Sequence, residues 1–209
     1  LAPIPEGGSA TEAFERTVRT AYQLQPLLES FEGAPMTFEI DLFADANVTR
    51  PQPHDPSPPV NRYLELFRQA NTIQTLDRTS FIPPLYVEEI MESAVEEEAR
   101  GLAIYPQSIV ERRYADYPEI HRTLAEEDVP VRYRVHDDIP FGMTLYDDDH
   151  VGLRAYDDDT GTLRLFADTA DPEAVEWATA VFDRYYEESV PASSVEALPD
   201  WVPDSELDL

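Results

Sequence analysis

The stretch "YDDDHVGLRAYDDDTG" (146–161) places six aspartates in two triplets ten residues apart. Carboxylates at that density are the ligands a hard divalent cation prefers, and an EF-hand-type loop would use them at positions 1, 3 and 5. Such a loop also needs Gly at position 6 and Glu at position 12, with helices on either side. Counting from Asp157, the Gly position holds Thr162 and the Glu position holds Asp168. The flanking phrases "MTLY", "VGLRAY" and "TLRLFA" read as strands. The triplets are therefore expected to be hairpin tips, where Asp and Gly161 supply turn conformations. No metal site is expected.

Other chemistry is equally thin. The four histidines (54, 121, 136 and 150) lack the His-x-x-x-His spacing of a zinc helix. His121 reads as a surface residue on a helix, His150 as a turn residue, and His136 as the end of a strand. There is no G-x-S-x-G elbow, P-loop or G-x-G-x-x-G fingerprint. The absence of Cys removes disulfides, thiolate nucleophiles and Cys-ligated metals. No cofactor is implied.

Open α/β sheets bind ligands at the carboxyl ends of their parallel strands. Those ends carry "DRTS" (77–80), "YPQS" (105–108) and "RVHDD" (134–138). Arg78, Thr79, Ser80, Gln107, Ser108 and His136 are the candidate ligand-binding donors there. Arg154 and Arg164 join them, since each sits among apolar residues on a late strand and needs a negative partner. That partner is either an Asp or Glu of the same chain or a small anionic ligand gripped through two guanidinium hydrogen bonds. Direct contact with nucleic acid is not expected. The densest basic phrase, "ERRYADY" (111–117), is neutralised by its own acids.

The elements that must position these residues follow from periodicity. "SATEAFERTVRTAYQLQPLLESF" (9–31) reads as a helix with Phe14, Val18, Tyr22, Leu28 and Phe31 along one stripe, and Pro26 breaking or kinking it. An irregular Pro-rich run follows to residue 60, with "FEIDLFADANV" packed on the domain. Helices are expected at 59–70, 83–99, 108–128 (broken near Pro118) and 171–189, with Pro172 in a favoured first-turn place. Strands are expected at 72–78, 101–106 and 129–136, followed by the three-stranded meander. Strands alternating with helices make parallel βαβ units, and the meander adds antiparallel strands. The expected fold is α/β, a mixed sheet with helices on both faces. Residues 1–31 form a connector and dimerisation helix, 32–190 the α/β domain, and 191–209 an acidic, Pro-containing tail anchored by Trp201.

Composition sets the environment. Hydrophobic content of 42% argues against disorder, whereas 43 acidic against 15 basic residues gives a net charge of −28. Every basic residue is Arg. Such a surface repels itself in dilute buffer, but at molar salt the Debye length falls to roughly 3 Å and the repulsion is screened. Acid spread along the whole chain, rather than gathered in a tail, favours a salt-rich cytoplasm over a basic partner. No apolar run approaches the roughly 20 residues that span a bilayer. The first residues lack the features of a secretory signal. A cytoplasmic chain is expected, and its Leu start suggests a fragment or processed product.

The phrases "FEIDLFADANVTRPQPHDPSPPVNRYLELFRQANTIQTLDRTSFIPP", "IPFGMTLYDDDHVGLRAYDDDTG" and "AVEWATAVFDRYYEES" resemble the effector domain of archaeal winged-helix regulators of the methanogenesis-regulatory-protein-like group, abundant in haloarchaea. The resemblance spans about residues 9 to 190. It implies a transcriptional regulator whose C-terminal domain senses a small molecule or mediates homodimerisation. DNA would be bound only through an N-terminal winged helix missing from this chain. The element order is also similar to the phospholipase-D-like sensor domain of archaeal sugar-responsive regulators. With no Lys, and so no His-x-Lys pair, the phospholipase chemistry does not carry over, and a non-enzyme is expected. The rivals are a hydrolase or phosphodiesterase on the same scaffold, needing a nucleophilic His opposite a second basic residue, and a stand-alone small-molecule-binding protein.

Overall fold

Alternation of side chains along each strand sorts this protein into two unlike faces of one sheet. The computed structural model describes residues 18–32, 37–80, 100–157 and 159–203, together with 15, 34, 82, 86, 87 and 90. Among these, the strands are β1 (Asn47–Thr49), β2 (Thr72–Asp77), β3 (Arg100–Tyr105), β4 (Val131–Val135), β5 (Gly142–Tyr146), β6 (His150–Tyr156), β7 (Leu163–Thr169) and β8 (Val190–Pro191). They form an eight-stranded sheet in the order β1-β7-β6-β5-β2-β3-β4-β8. The pairs β2–β3 and β3–β4 are parallel, and every other pair is antiparallel. This is the expected mixed sheet, with βαβ units first and the meander after.

The helices are α1 (Gln25–Ser30), α2 (Pro58–Gln69), α3 (Gln107–Asp116), α4 (Pro118–Glu126) and α5 (Pro172–Glu188). Pro118 separates α3 from α4, because a proline ring fits the first turn of a helix and not its interior. Helix α5 starts at Asp171, whose carboxylate accepts from the backbone N–H groups of Glu173 and Ala174. The helix expected at 83–99 lies largely outside the described residues, of which 86, 87 and 90 are helical.

Helix α5 and α1 cover one face. Beneath them lie Leu76, Leu102, Ile104, Met143, Leu145, Leu153 and Leu165, all buried in a single apolar cluster. Each such side chain contributes roughly 1.5–3 kcal/mol by leaving water. Helices α2 and α3 cover the opposite face, where the alternate residues of the same strands include Thr75, Asp77, Thr144, Arg154 and Asp168, all buried.

Two sequence expectations are corrected here. Residues 18–23 are helical and α1 follows after a turn at Leu24, with Pro26 in its first turn. The buried side is Leu24, Leu27 and Phe31, whereas Val18 is 52% exposed, Tyr22 80% and Leu28 37%. The proline break re-phases the helix, so a stripe drawn straight through it misassigns the inner face; Phe14 lies outside the described residues. The segment after residue 190 also does more than trail from one anchor. Its β8 pairs with β4, and Ala192, Val195, Leu198, Trp201 and Val202 pack with Tyr114 and Tyr133.

Asp147, Asp148, Asp149, Asp157 and Asp159 lie at hairpin tips as expected, and Asp158 lies outside the described residues. Asp147 and Asp148 adopt φ of 49° and 56°, and Gly161 has φ of 67°. Asp147 Oδ1 accepts from the backbone N–H groups of Asn71 and Thr72 at 2.8 and 2.7 Å. Asp157 Oδ1 accepts from the N–H and hydroxyl of Thr160. Those carboxylates tie turns together. No described helix is long and apolar enough to cross a membrane.

Candidate functional site: a tyrosine-lined cavity beside two buried arginines

Strand register builds the site. Asp77 on β2 lies opposite Gly142 on β5, and Gly142 lies opposite Arg154 on β6. All three residues point to the face under α2. Because Gly142 has no side chain, Arg154 reaches over it to Asp77, with Nε 2.9 Å from Oδ2. A Cβ at position 142 would lie 2.7 Å from Arg154 Nε, 2.7 Å from the Tyr156 hydroxyl and 2.9 Å from Asp77 Oδ2. Here glycine is required by close approach rather than by backbone conformation.

The pair is embedded in further polar contacts. Tyr156 donates its hydroxyl to Asp77 Oδ2 at 2.7 Å, and Arg154 Nη1 donates to Thr144 Oγ1 at 2.8 Å. The Thr144 hydroxyl is 3.1 Å from that of Thr75, and the Arg154 guanidinium lies 5.2 Å from the Tyr63 ring centre. Arg154 is 0% exposed. Burial pushes the Asp77 carboxyl above its usual range, opposed by the Arg154 charge and the Tyr156 hydroxyl. The guanidinium stays protonated in any case.

A second arginine enters from α3. Arg113 is 8% exposed. Its guanidinium sits 5.4 Å from the Tyr105 ring centre and 5.7 Å from that of Tyr133, within cation–π range. Nη1 donates to the Ser80 hydroxyl at 3.2 Å, while buried Nε has no hydrogen-bond partner among the described residues. Among the described residues no carboxylate forms an ion pair with it. Arg113, Tyr63, Tyr105, Tyr133, Thr75 and the exposed Arg100 line a cavity of about 70 Å³ whose remaining wall is apolar, including Phe67, Ile73 and Leu102.

The sequence candidates divide into three groups. Arg154, Arg78 and Ser80 converge near this site. The Arg78 guanidinium lies 5.6 Å from the Tyr156 ring centre, and Thr79 donates its backbone N–H to Asp77 Oδ1. Gln107, Ser108 and His136 sit together at the ends of β3 and β4 but do not line the cavity. There the Gln107 side chain donates to Glu111, Ser108 is exposed, and His136 lies 3.7 Å from Glu188 with its ring against Tyr185. Arg164 is elsewhere, on the outer part of β7, paired with Glu29 at 3.4 Å. Of the two partners open to Arg154 and Arg164, the structure shows a carboxylate of the chain itself for both.

Nothing in the sequence reading singles out Arg113, Asp77 or the three tyrosines. The phrase "ERRYADY" is not simply self-neutralised, because Arg113 turns inward and leaves its acidic neighbours outside. A signal was present, since Ile109, Val110, Arg113 and Tyr114 form one buried i, i+1, i+4, i+5 stripe. His121 is likewise no surface residue. It is 4% exposed and stacked on Tyr114 with ring centres 4.4 Å apart. Burial, helped by the nearby Arg113 charge, lowers its pKa from 6.5 to about 4. His150 begins β6 and reaches a second buried carboxylate on the same face. Asp168 accepts from Arg62 Nη2 at 2.8 Å and Asn47 Nδ2 at 3.0 Å, with His150 Nε2 at 2.9 Å. Among the described residues no three His, Asp or Glu side chains are grouped to hold a metal ion.

The fold that carries this site is a mixed α/β domain that several solved structures share. Its solved structural relatives include an archaeal chromatin protein, TrmBL2, whose reported structure shows a novel mode of DNA binding. TrmBL2 is 16% identical, with a TM-score of 0.53 over 88% of this chain and 67% of that one. NucT from Helicobacter pylori is 10% identical, with a TM-score of 0.54 over 70% of this chain and 98% of its own. The phosphatidylserine synthase of Haemophilus influenzae Rd KW20 is 12% identical at a TM-score of 0.50, over 74% of this chain and 41% of the synthase. At these identities the likeness is one of fold. No curated protein matches the sequence. The model of the "methanogenesis regulatory protein FilR1, middle domain" family matches residues 56–188, and the chain belongs to that family. It is thus a domain of a regulatory protein.

Proposed function

We propose that this chain is the non-catalytic, effector-binding part of a haloarchaeal transcriptional regulator, and that a small anion is the effector. The observation that carries this reading is Arg113. It is a buried cation facing a cavity, with no carboxylate beside it among the described residues. Leaving a charge buried and unpaired costs several kcal/mol, a cost that an anionic ligand would offset. Arg154 is committed to Asp77 and serves to hold the tyrosines in place.

Binding is favoured over hydrolysis by the residue types present. Guanidinium groups stay protonated near neutral pH and so cannot serve as a general base, and no His lines the cavity. DNA would be reached through a winged helix of the same regulator rather than through this acidic surface. Exposed Val18 and Tyr22 support self-association through the helix that precedes α1. Light scattering in molar KCl should give a dimer that weakens in Tyr22→Glu, and a strict monomer would contradict the seam. Thermal-shift screening of carboxylates, phosphate and sugar phosphates in the same salt should find at least one stabilising anion. No shift from any of them would contradict sensing.

A further inference from the structure

The acidic coat of this protein has a gap. Asp and Glu make up 43 of 209 residues, about one in five, yet residues 16–28 and 46–54 contain neither. Core segments lack acids as a matter of course, but these two reach the surface. Val18, Arg19, Tyr22 and Gln23 are exposed in the first stretch, and Arg50 and Gln52 in the second. The structure sets the two together. The Thr20 hydroxyl donates to the Ala44 carbonyl at 3.4 Å, and the Arg50 guanidinium donates to the Gln23 carbonyl. Between residues 44 and 50 runs β1, the outermost strand of the sheet on that side. Exposed acids bound both stretches, Glu15 and Glu29 for the first, Asp45 and Asp55 for the second.

Docking strips water and ions from a surface, and a carboxylate left unpaired there is costly. The cores of protein interfaces are accordingly depleted in Asp and Glu and enriched in Tyr and Arg, which is the composition of this gap. A partner has to bring no carboxylate of its own to the middle of the contact. In a cytoplasm of acidic proteins, the same patch on another copy meets that condition. We propose that a second copy of this chain docks here, patch on patch about a two-fold axis, with Val18 and Tyr22 at the centre and the segment beside β1 as the other half of the seam. The inference rests on the self-association reading above and extends it from one helix to a surface of two segments. Arg19 and Arg50 of one copy then face the bounding carboxylates of the other, so the rim is complementary in charge. Away from the patch the copies repel, each carrying −28. Association therefore needs salt, since the Debye length falls from roughly 10 Å at 0.1 M to roughly 3 Å at 1 M.

Sedimentation equilibrium of the full chain tests this. Dimers should form in molar KCl and dissociate at about 0.1 M. Gln52→Asp should weaken the dimer at least about tenfold in molar KCl, because screening does not restore the water that a buried carboxylate loses. Ala180→Glu, which adds the same charge on the exposed outer side of α5, should leave the dimer unchanged. Circular dichroism checks that each sample is folded. His54→Asp takes over should Gln52→Asp unfold, and the variants in molar KCl decide should the chain unfold at low salt. Loss of the dimer in Tyr22→Glu but in neither segment variant confines the seam to the helix, which overturns the two-segment patch and leaves self-association intact. Equal weakening by Ala180→Glu overturns the location, and a folded dimer of undiminished strength at low salt overturns the role given to the acidic coat. A monomer at every salt concentration removes both readings.

Discussion

The two faces of the sheet are built from the same strands, one residue out of phase, and they follow different rules. Under α5 and α1 the strands present Leu, Ile, Met, Val and Ala, and packing alone accounts for the residue types. Under α2 and α3 the next residues along the same strands include two buried carboxylates, one buried arginine, two threonines and several tyrosines, and α3 adds a second buried arginine. A phase of one residue separates a core from a site. Apolar cores tolerate exchange of shape because their attraction is non-directional. A buried polar face tolerates little, because each group depends on a partner in a fixed direction. Replacing a buried ion pair by well-packed hydrocarbon of similar volume is often neutral or stabilising, so packing alone does not account for the Asp77–Arg154 pair.

That contrast can be tested by substitution, measured as thermal unfolding in molar KCl. The largest effect is expected from Asp77→Ala, which leaves Arg154 buried without its carboxylate and should cost about 3–5 kcal/mol. Next comes pH. His121 titrates near 6.5 when unfolded and about 4 when folded, so between those values the unfolded chain binds more protons. Stability is therefore full above about pH 6.5 and lost as pH falls toward 4, by up to about 3 kcal/mol. In His121→Phe that acid-side slope should flatten; an unchanged slope would mean the imidazole is not the group responsible.

Gly142→Ala should cost about 1–3 kcal/mol by overpacking the Arg154–Asp77 crossing. Directly behind it on the other face, Met143→Leu should cost less than about 1.5 kcal/mol. Equal losses from these neighbours would erase the distinction between the faces. The smallest effect belongs to Arg164→Ala, whose half-exposed ion pair with Glu29 should contribute about 0–1 kcal/mol, less in high salt.

How far the sequence carried depends on whether a feature is local. Strands β2 to β7 were legible because alternation and turn residues are written within a few positions of one another. The hairpin tips at 147–149 and 159–161 were legible for the same reason. The Asp77–Arg154 pair joins residues 77 positions apart, and it exists because β5 lies between β2 and β6 with Gly142 at the crossing. No local pattern encodes that register, so the arginine's partner stayed open between a carboxylate and a ligand. Arg113 and His121 were passed over because polar residues on a helix are read as outward by default. Their inward turn depends on α3 and α4 lying against Tyr105 and Tyr133. The misread stripe at Val18 and Tyr22 has a simpler origin, since Pro26 resets the helical phase.

All of this converges on one guanidinium. A crystal structure grown from salt-saturated solution with an anion that raises the melting temperature should show that anion within hydrogen-bond distance of the Arg113 guanidinium, between Tyr105 and Tyr133. Arg113 closed instead onto a carboxylate of the protein itself, with the cavity filled by side chains, would contradict the account.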